Sequence, residues 1–265
     1  MCPSNRSDWL DPLPGWRRRL AGWLFLAGGA LGFGQATEWP HTVAPGRFLI
    51  EMDALSAAVD REAAERYTAF GAATTFVSTG VTANWDVQIG VEFFVSRKFE
   101  AEGSRERHSG VGDVFLRTKW RFLASESRGV ALALLPYVKV PTNSGGVGND
   151  AIEGGLIVPA EAALPGGFGL GAQVEVDLHR NDADDGYDAY GYASAALSRA
   201  LAGRFGAYLE VAAGKSSGGA PWEGTAGAGV TWQAAENLSW DLALYRGVTR
   251  VATDWNPVFR LNFEF

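Results

Sequence analysis

The sequence predicts an all-β fold, an antiparallel up-and-down transmembrane β-barrel of about 12 strands, and three observations predict it. Apolar residues recur at every second position through most of the chain from Arg47 onward. The connections between these runs alternate between long and short. Trp, Phe and Tyr gather at the ends of the runs, as two interfacial belts would require. Composition agrees, with 34 Gly and 12% aromatic residues in 265 positions. Only one apolar stretch, Leu20 to Phe33, is long enough to notice, which excludes a polytopic helical membrane protein.

The chain opens with a leader. Arg17, Arg18 and Arg19 precede LAGWLFLAGGALGF, and Gly34 and Ala36 stand at the −3 and −1 positions before Thr37. This basic, apolar and small-residue order is that of a cleaved secretory signal peptide, residues 1–36. Its removal takes away Cys2, the single cysteine, so no disulfide, CxxC zinc pair or thiol nucleophile is expected. It also removes four Arg and two Asp, taking the net charge from −7 to −9. So acidic a chain is not expected to bind nucleic acid.

Residues 37–46 carry no alternation and are expected as a periplasmic segment ahead of the barrel at 47–265. Strands are expected near 47–57, 67–78, 85–98, 110–122, 130–140, 152–163, 167–178, 188–199, 204–213, 223–233, 238–247 and 256–265. In the third, Trp85, Val87, Ile89, Val91, Phe93 and Val95 form the apolar face. In the fourth, Val114, Leu116, Trp120 and Phe122 alternate with Asp113, Arg117, Lys119 and Arg121. In the last, Phe259, Leu261, Phe263 and Phe265 alternate with Arg260, Asn262 and Glu264. Every odd-numbered connection is the longer, the asymmetry of outer-membrane barrels with short periplasmic turns. A soluble sandwich or lipocalin-like barrel fits less well, because rows of acids and bases would be costly in a dry core. Trp85, Trp120, Phe122, Trp232, Trp240 and Phe265 fall on the periplasmic side, and Phe99, Tyr187, Trp222 and Trp255 on the other.

TEWPHTVAPGRFLIEMD from Thr37, SGVGDVFLRTKWRFL followed by VALALLPYVKVPT, and the terminal DWNPVFRLNFEF carry a resemblance. Within them Gly112, Asp113, Lys119, Lys139, Pro141 and Thr142 match a G-D…K…K-x-P-T pattern. In these residues the chain resembles the outer-membrane transporter-like proteins of the MetA-pathway of phenol degradation family. The resemblance implies a Gram-negative outer-membrane barrel linked to uptake of aromatic or other hydrophobic compounds. It also implies that Phe265 acts as the signal read by the barrel-assembly machinery.

Sites for chemistry are few. His108 and Ser109 are adjacent, and adjacent strand residues point to opposite faces, so a nucleophile–base pair is not expected there. His179 and NDADDG lack the glutamate of a calcium loop, and GFGLG lacks the helix that follows a dinucleotide loop. No catalytic residue, metal or cofactor is expected. The lumen carries the information: Lys98, Asp113, Arg117, Lys119, Arg121, Lys139, Glu153, Glu175, Asp177, Glu210, Asp241 and Arg260 are expected to line it. Bases gather on strands three to five, and acids, with Glu51, Asp53 and Glu161, on the others. Opposite strand four the inward positions Thr225, Gly227, Gly229 and Thr231 are small. Two outcomes stay open, a water-filled path with a transverse field and a lumen plugged by paired charges. The leading functional expectation is passive passage of a small solute through a barrel embedded in outer-membrane lipid. A closed structural or binding barrel and a lipid-acting enzyme are the alternatives.

Overall fold

The computed structural model describes residues 37–265 apart from 63, 64, 182 and 184, so the leader lies outside the described residues. Its strands are β1 (Phe48–Glu62), β2 (Glu65–Thr82), β3 (Trp85–Ala101), β4 (Ser104–Gly110), β5 (Val114–Ser125), β6 (Val130–Val140) and β7 (Glu153–Leu164). They continue as β8 (Phe168–Arg180), β9 (Tyr187–Ala200), β10 (Phe205–Ser216), β11 (Glu223–Ala235), β12 (Leu238–Gly247) and β13 (Trp255–Glu264). Every pairing between strands is antiparallel, and each strand pairs with its neighbours in sequence, except that β3 pairs with β5 directly. Since β1 pairs with both β2 and β13, 12 strands close into a barrel. The thirteenth, β4, pairs only with the end of β3 from Val95 to Ala101. Its sequence SRERHSG has no alternating apolar residues, which is why it reads as a connection.

Within the ring of 12, closure leaves no sheet edge, and a strand in hydrocarbon requires this because no water is available to its backbone. At the seam Phe48 and Phe265 exchange both backbone hydrogen bonds at 2.9 Å, and their rings stack at 5.5 Å. The outer wall is apolar: Leu209, Val211, Leu242 and Leu244 are exposed, while Glu210 between the first two, Ala243 between the last two and Asp241 before them are buried. The exposed wall suits hydrocarbon, and the polar interior is that of an outer-membrane barrel.

Trp85, Trp120, Phe122, Phe205, Trp232 and Phe265 lie exposed at the end with short turns, and Tyr187, Trp222 and Trp255 are exposed toward the other end. Phe99 departs from the expected belt, because it packs instead on the buried cluster of Ala58, Tyr67 and Ala69. The first two long connections are also shorter than expected. β1 runs on to Glu62 and β2 begins at Glu65, while β3 reaches Ala101 and β4 begins at Ser104, so both places are strand pairs rather than loops.

One irregularity corrects the expected parity. In β1 Asp53 and Ser56 are both buried, in β2 Gly71 and Thr74, and in β3 Glu92 and Val95, so each strand changes which of its residues face inward. The breaks fall at Ala54, Ala73 and Phe93, which are level with one another in the register, and Ala73 has a positive φ of 55°. One residue skipped level in all three strands, a register shift only where β1 meets β13, swaps the faces of everything beyond it. Val95 therefore turns inward and Phe94 outward, opposite to the simple alternation of the sequence.

Candidate functional site

Ten of the expected lumen residues are buried: Asp113, Arg117, Lys119, Lys139, Glu153, Glu175, Asp177, Glu210, Asp241 and Arg260. Since the apolar face of each strand is the exposed one, this buried polar face is the inner wall of the barrel. Arg121 is half-buried at the turn end, where its Nη2 donates to the Ala83 carbonyl at 3.0 Å. Lys98 does not join the set. It stands beyond the break at Phe93, and its Nζ pairs with Glu100 at 2.7 Å near the β3 tip.

The inner charges form four groups, one of them the pair of Arg260 Nε with Asp53 Oδ1 at 2.7 Å between β13 and β1. Nearest the long loops, Lys139 Nζ lies 3.2 Å from Asp113 Oδ2, 2.9 Å from Glu153 Oε2 and 2.6 Å from Asn149 Oδ1. Asp113 Oδ1 accepts from the backbone N–H groups of Thr142 and Asn143 at 3.0 Å each. These contacts fasten the 141–152 loop to the wall and bury Val147 within it. The structure thus gives Asp113, Lys139 and Thr142 of the G-D…K-x-P-T pattern a common task, holding that loop.

The second group is the acidic sector, where tyrosines supply the donors. Tyr137 donates to Asp177 at 2.8 Å, Tyr208 to Asp241 at 3.0 Å and Tyr245 to Glu210 at 2.6 Å. An O–H donor satisfies a buried carboxylate without a cation, so acids can share one wall. Two of these rings lie over glycines of β11. A methyl on Gly227 would overlap the Tyr245 ring, and one on Gly229 the Tyr208 ring. The space along Gly227 and Gly229, where an open path is one of the two expected outcomes, is filled by aromatic rings.

The third group is basic and belongs to β5. Arg117 Nη2 lies 2.6 Å from Glu38 Oε1, and Lys119 Nζ 3.7 Å from Glu38 Oε2. The Arg117 guanidinium also sits over the Phe76 ring, 4.5 Å from its centroid. Burial alone would raise the Glu38 pKa, but Arg117 and Lys119 more than offset it and hold the carboxyl below its ordinary value.

Glu38 belongs to the segment expected ahead of the barrel in the periplasm, and in the structure that segment lies against inward-facing residues of the wall. Residues 37–46 turn back into the barrel. Pro45 bridges Gly80, and Val43 N–H donates to Asp86 Oδ2 at 3.0 Å. Glu38 N–H donates to Gln173 Oε1 at 2.6 Å, and Thr37 Oγ1 meets Ser194 Oγ at 2.7 Å. Thr37 itself is buried, with its backbone nitrogen 2.6 Å from Glu210 Oε1. Sequence reasoning missed this because the segment has no period and its partners are 35 or more positions away. The bulk of TEWPHTV with a lone acid, ahead of strands rich in inward bases, is the one available signal.

His108 and Ser109 lie exposed in β4. No group of three or more His, Cys, Asp or Glu able to hold a metal occurs among the described residues.

The model of the MetA-pathway of phenol degradation family matches residues 32–265. Comparison with curated proteins finds no match. Among solved structures, the NanC porin aligns with a TM-score of 0.51 at 8% identity, over 82% of this chain and 98% of that one. The transport unit of the autotransporter AIDA-I from Escherichia coli aligns with a TM-score of 0.51 at 13% identity, over 94% and 96%. At such identities the likeness is one of fold.

Proposed function

The chain belongs to the MetA-pathway of phenol degradation family, and from that premise we propose that it is an outer-membrane channel for passive passage of small solutes. Aromatic or hydrophobic compounds are the class that the family description suggests. The observation that carries the reading is the inner wall, where bases on β5 and acids on β8, β10 and β12 stand in separate sectors. A barrel serving only as scaffold has no need of segregated charge, whereas a solute path uses it to select by sign.

A closed barrel is the second reading, and the segment crossing the lumen favours it. The two readings differ in whether that segment leaves. A lipid-acting enzyme has less support, because His108 and Ser109 are strand neighbours and face opposite ways. Export by the cleaved leader and assembly through Phe265 complete the proposal. Swelling of liposomes that hold the purified barrel lacking residues 37–46, in solutions of phenol-sized and sugar-sized solutes, tests it. Faster entry of the aromatic solute than in protein-free liposomes supports the channel, and identical rates argue for the closed barrel.

A further inference from the structure

The structure assigns residues 37–46 the role of a removable plug with two charge-specific ends, the acidic one being Glu38 and the cationic one the α-ammonium that cleavage creates at Thr37. The segment enters beside Gly80 of β2 and ends between Ser194 of β9 and Glu210 of β10. In the closed ring of 12 strands, β2 and β9 are six places apart, so the segment reaches from one wall to the opposite one. Its only acid meets the basic β5 wall, and its first nitrogen meets the acidic β10 wall.

Cleavage supplies the missing charge. Water adds across the Ala36–Thr37 peptide bond, Ala36 keeps the carboxylate, and the Thr37 nitrogen takes up a proton to become an ammonium. An ammonium facing Glu210 makes a charge-assisted hydrogen bond, stronger than the one an amide N–H would make there. The other Glu210 oxygen accepts from Tyr245, which holds the carboxylate in place for the terminus. The lumen therefore contains a binding site for a free amino terminus followed by an acidic residue. Processing and closure become one event, because the precursor lacks one of the two charges that seat the plug. This inference is independent of which solute passes, and its binding readout does not depend on conduction.

The test is amine labelling by reductive methylation of the mature protein in detergent micelles, read by mass spectrometry. The Thr37 α-amine should be protected about tenfold or more in the folded barrel relative to the urea-unfolded chain, the protection expected when a contact of this strength must open first. The exposed Lys215 side chain serves as the internal control and should label readily in both. Glu210→Gln should abolish most of the protection. A mature terminus elsewhere than Thr37, or equal labelling in folded and unfolded protein, overturns the inference. Should Glu210→Gln fail to fold, a synthetic peptide of residues 37–46 is added to the barrel lacking them. The free peptide should bind about tenfold more tightly than its N-acetylated form. Equal binding of the two overturns the inference as well.

Discussion

Glu38 and Arg117 stand 79 positions apart in the sequence and meet at 2.6 Å inside the barrel. Because Arg117 and Lys119 hold the Glu38 carboxyl below its ordinary value of 4.5, the sign of the pH effect is fixed. A depressed carboxylate stabilises the seated segment above its ordinary pKa, and that contribution is lost as pH falls through the lower folded value. Ionic current through the protein should stay low from neutral pH down to about 5 and rise in more acidic solution. Arg260 and Glu175 also act on Glu38 electrostatically, so the comparison that isolates it is Glu38→Gln. That variant should pass more current at neutral pH and lose the acidic rise; an unchanged rise would assign the effect to another group.

Tyr208 and Gly229 give a packing prediction. Gly229→Ala places a methyl where the Tyr208 ring lies, so the ring must move and its hydrogen bond to Asp241 at 3.0 Å breaks. Overpacking of this kind costs ~1–3 kcal/mol. The urea midpoint for unfolding in micelles should fall accordingly, while Ala228→Val on the exposed neighbouring position should change it little. An equal effect of both would contradict the inward placement of Tyr208.

The parity break at Ala54, Ala73 and Phe93 separates two lysines that simple alternation treats alike. In the barrel lacking residues 37–46, Arg117→Ala with Lys119→Ala should shift the reversal potential in a salt gradient toward cations. Lys98→Ala should leave it unmoved, since Lys98 is paired with Glu100 beyond the break. Matching shifts would place Lys98 on the conduction path.

Much of this barrel was legible because period two survives from β5 to β13, where apolar positions such as Leu209 and Val211 alternate with Glu210 without a break over the wall. Lys98 was misplaced for a physical reason. The break passes through Ala73, whose positive φ is not announced by a glycine or asparagine, and Phe93 and Phe94 supply apolar residues to either register. The covering of Gly227 and Gly229 depends on rings from the flanking strands β10 and β12, which alternation within β11 cannot show. The lumenal course of residues 37–46 rests on contacts to six different strands, each too distant in sequence to leave a pattern.

Asp113 should prove structural rather than selective. Asp113→Ala removes one of the two carboxylates on Lys139 and the acceptor for the Thr142 and Asn143 amides, while Glu153 stays on Lys139. Because Glu153 still neutralises Lys139, the cost falls below the ~3–5 kcal/mol of leaving a buried charge unpaired. Cleavage within 141–152 by an added protease should become fast in the variant, and a loop that stays resistant would remove Asp113 from its anchoring role.

Single-channel recording in planar bilayers, on the mature protein and on the barrel lacking residues 37–46, tests the central claim most directly. The account predicts rare, small openings for the intact protein and steady current, several-fold larger at about neutral pH, once the segment is gone. Equal current from the two proteins, or silence from both, would contradict a solute path closed by its own N-terminal segment.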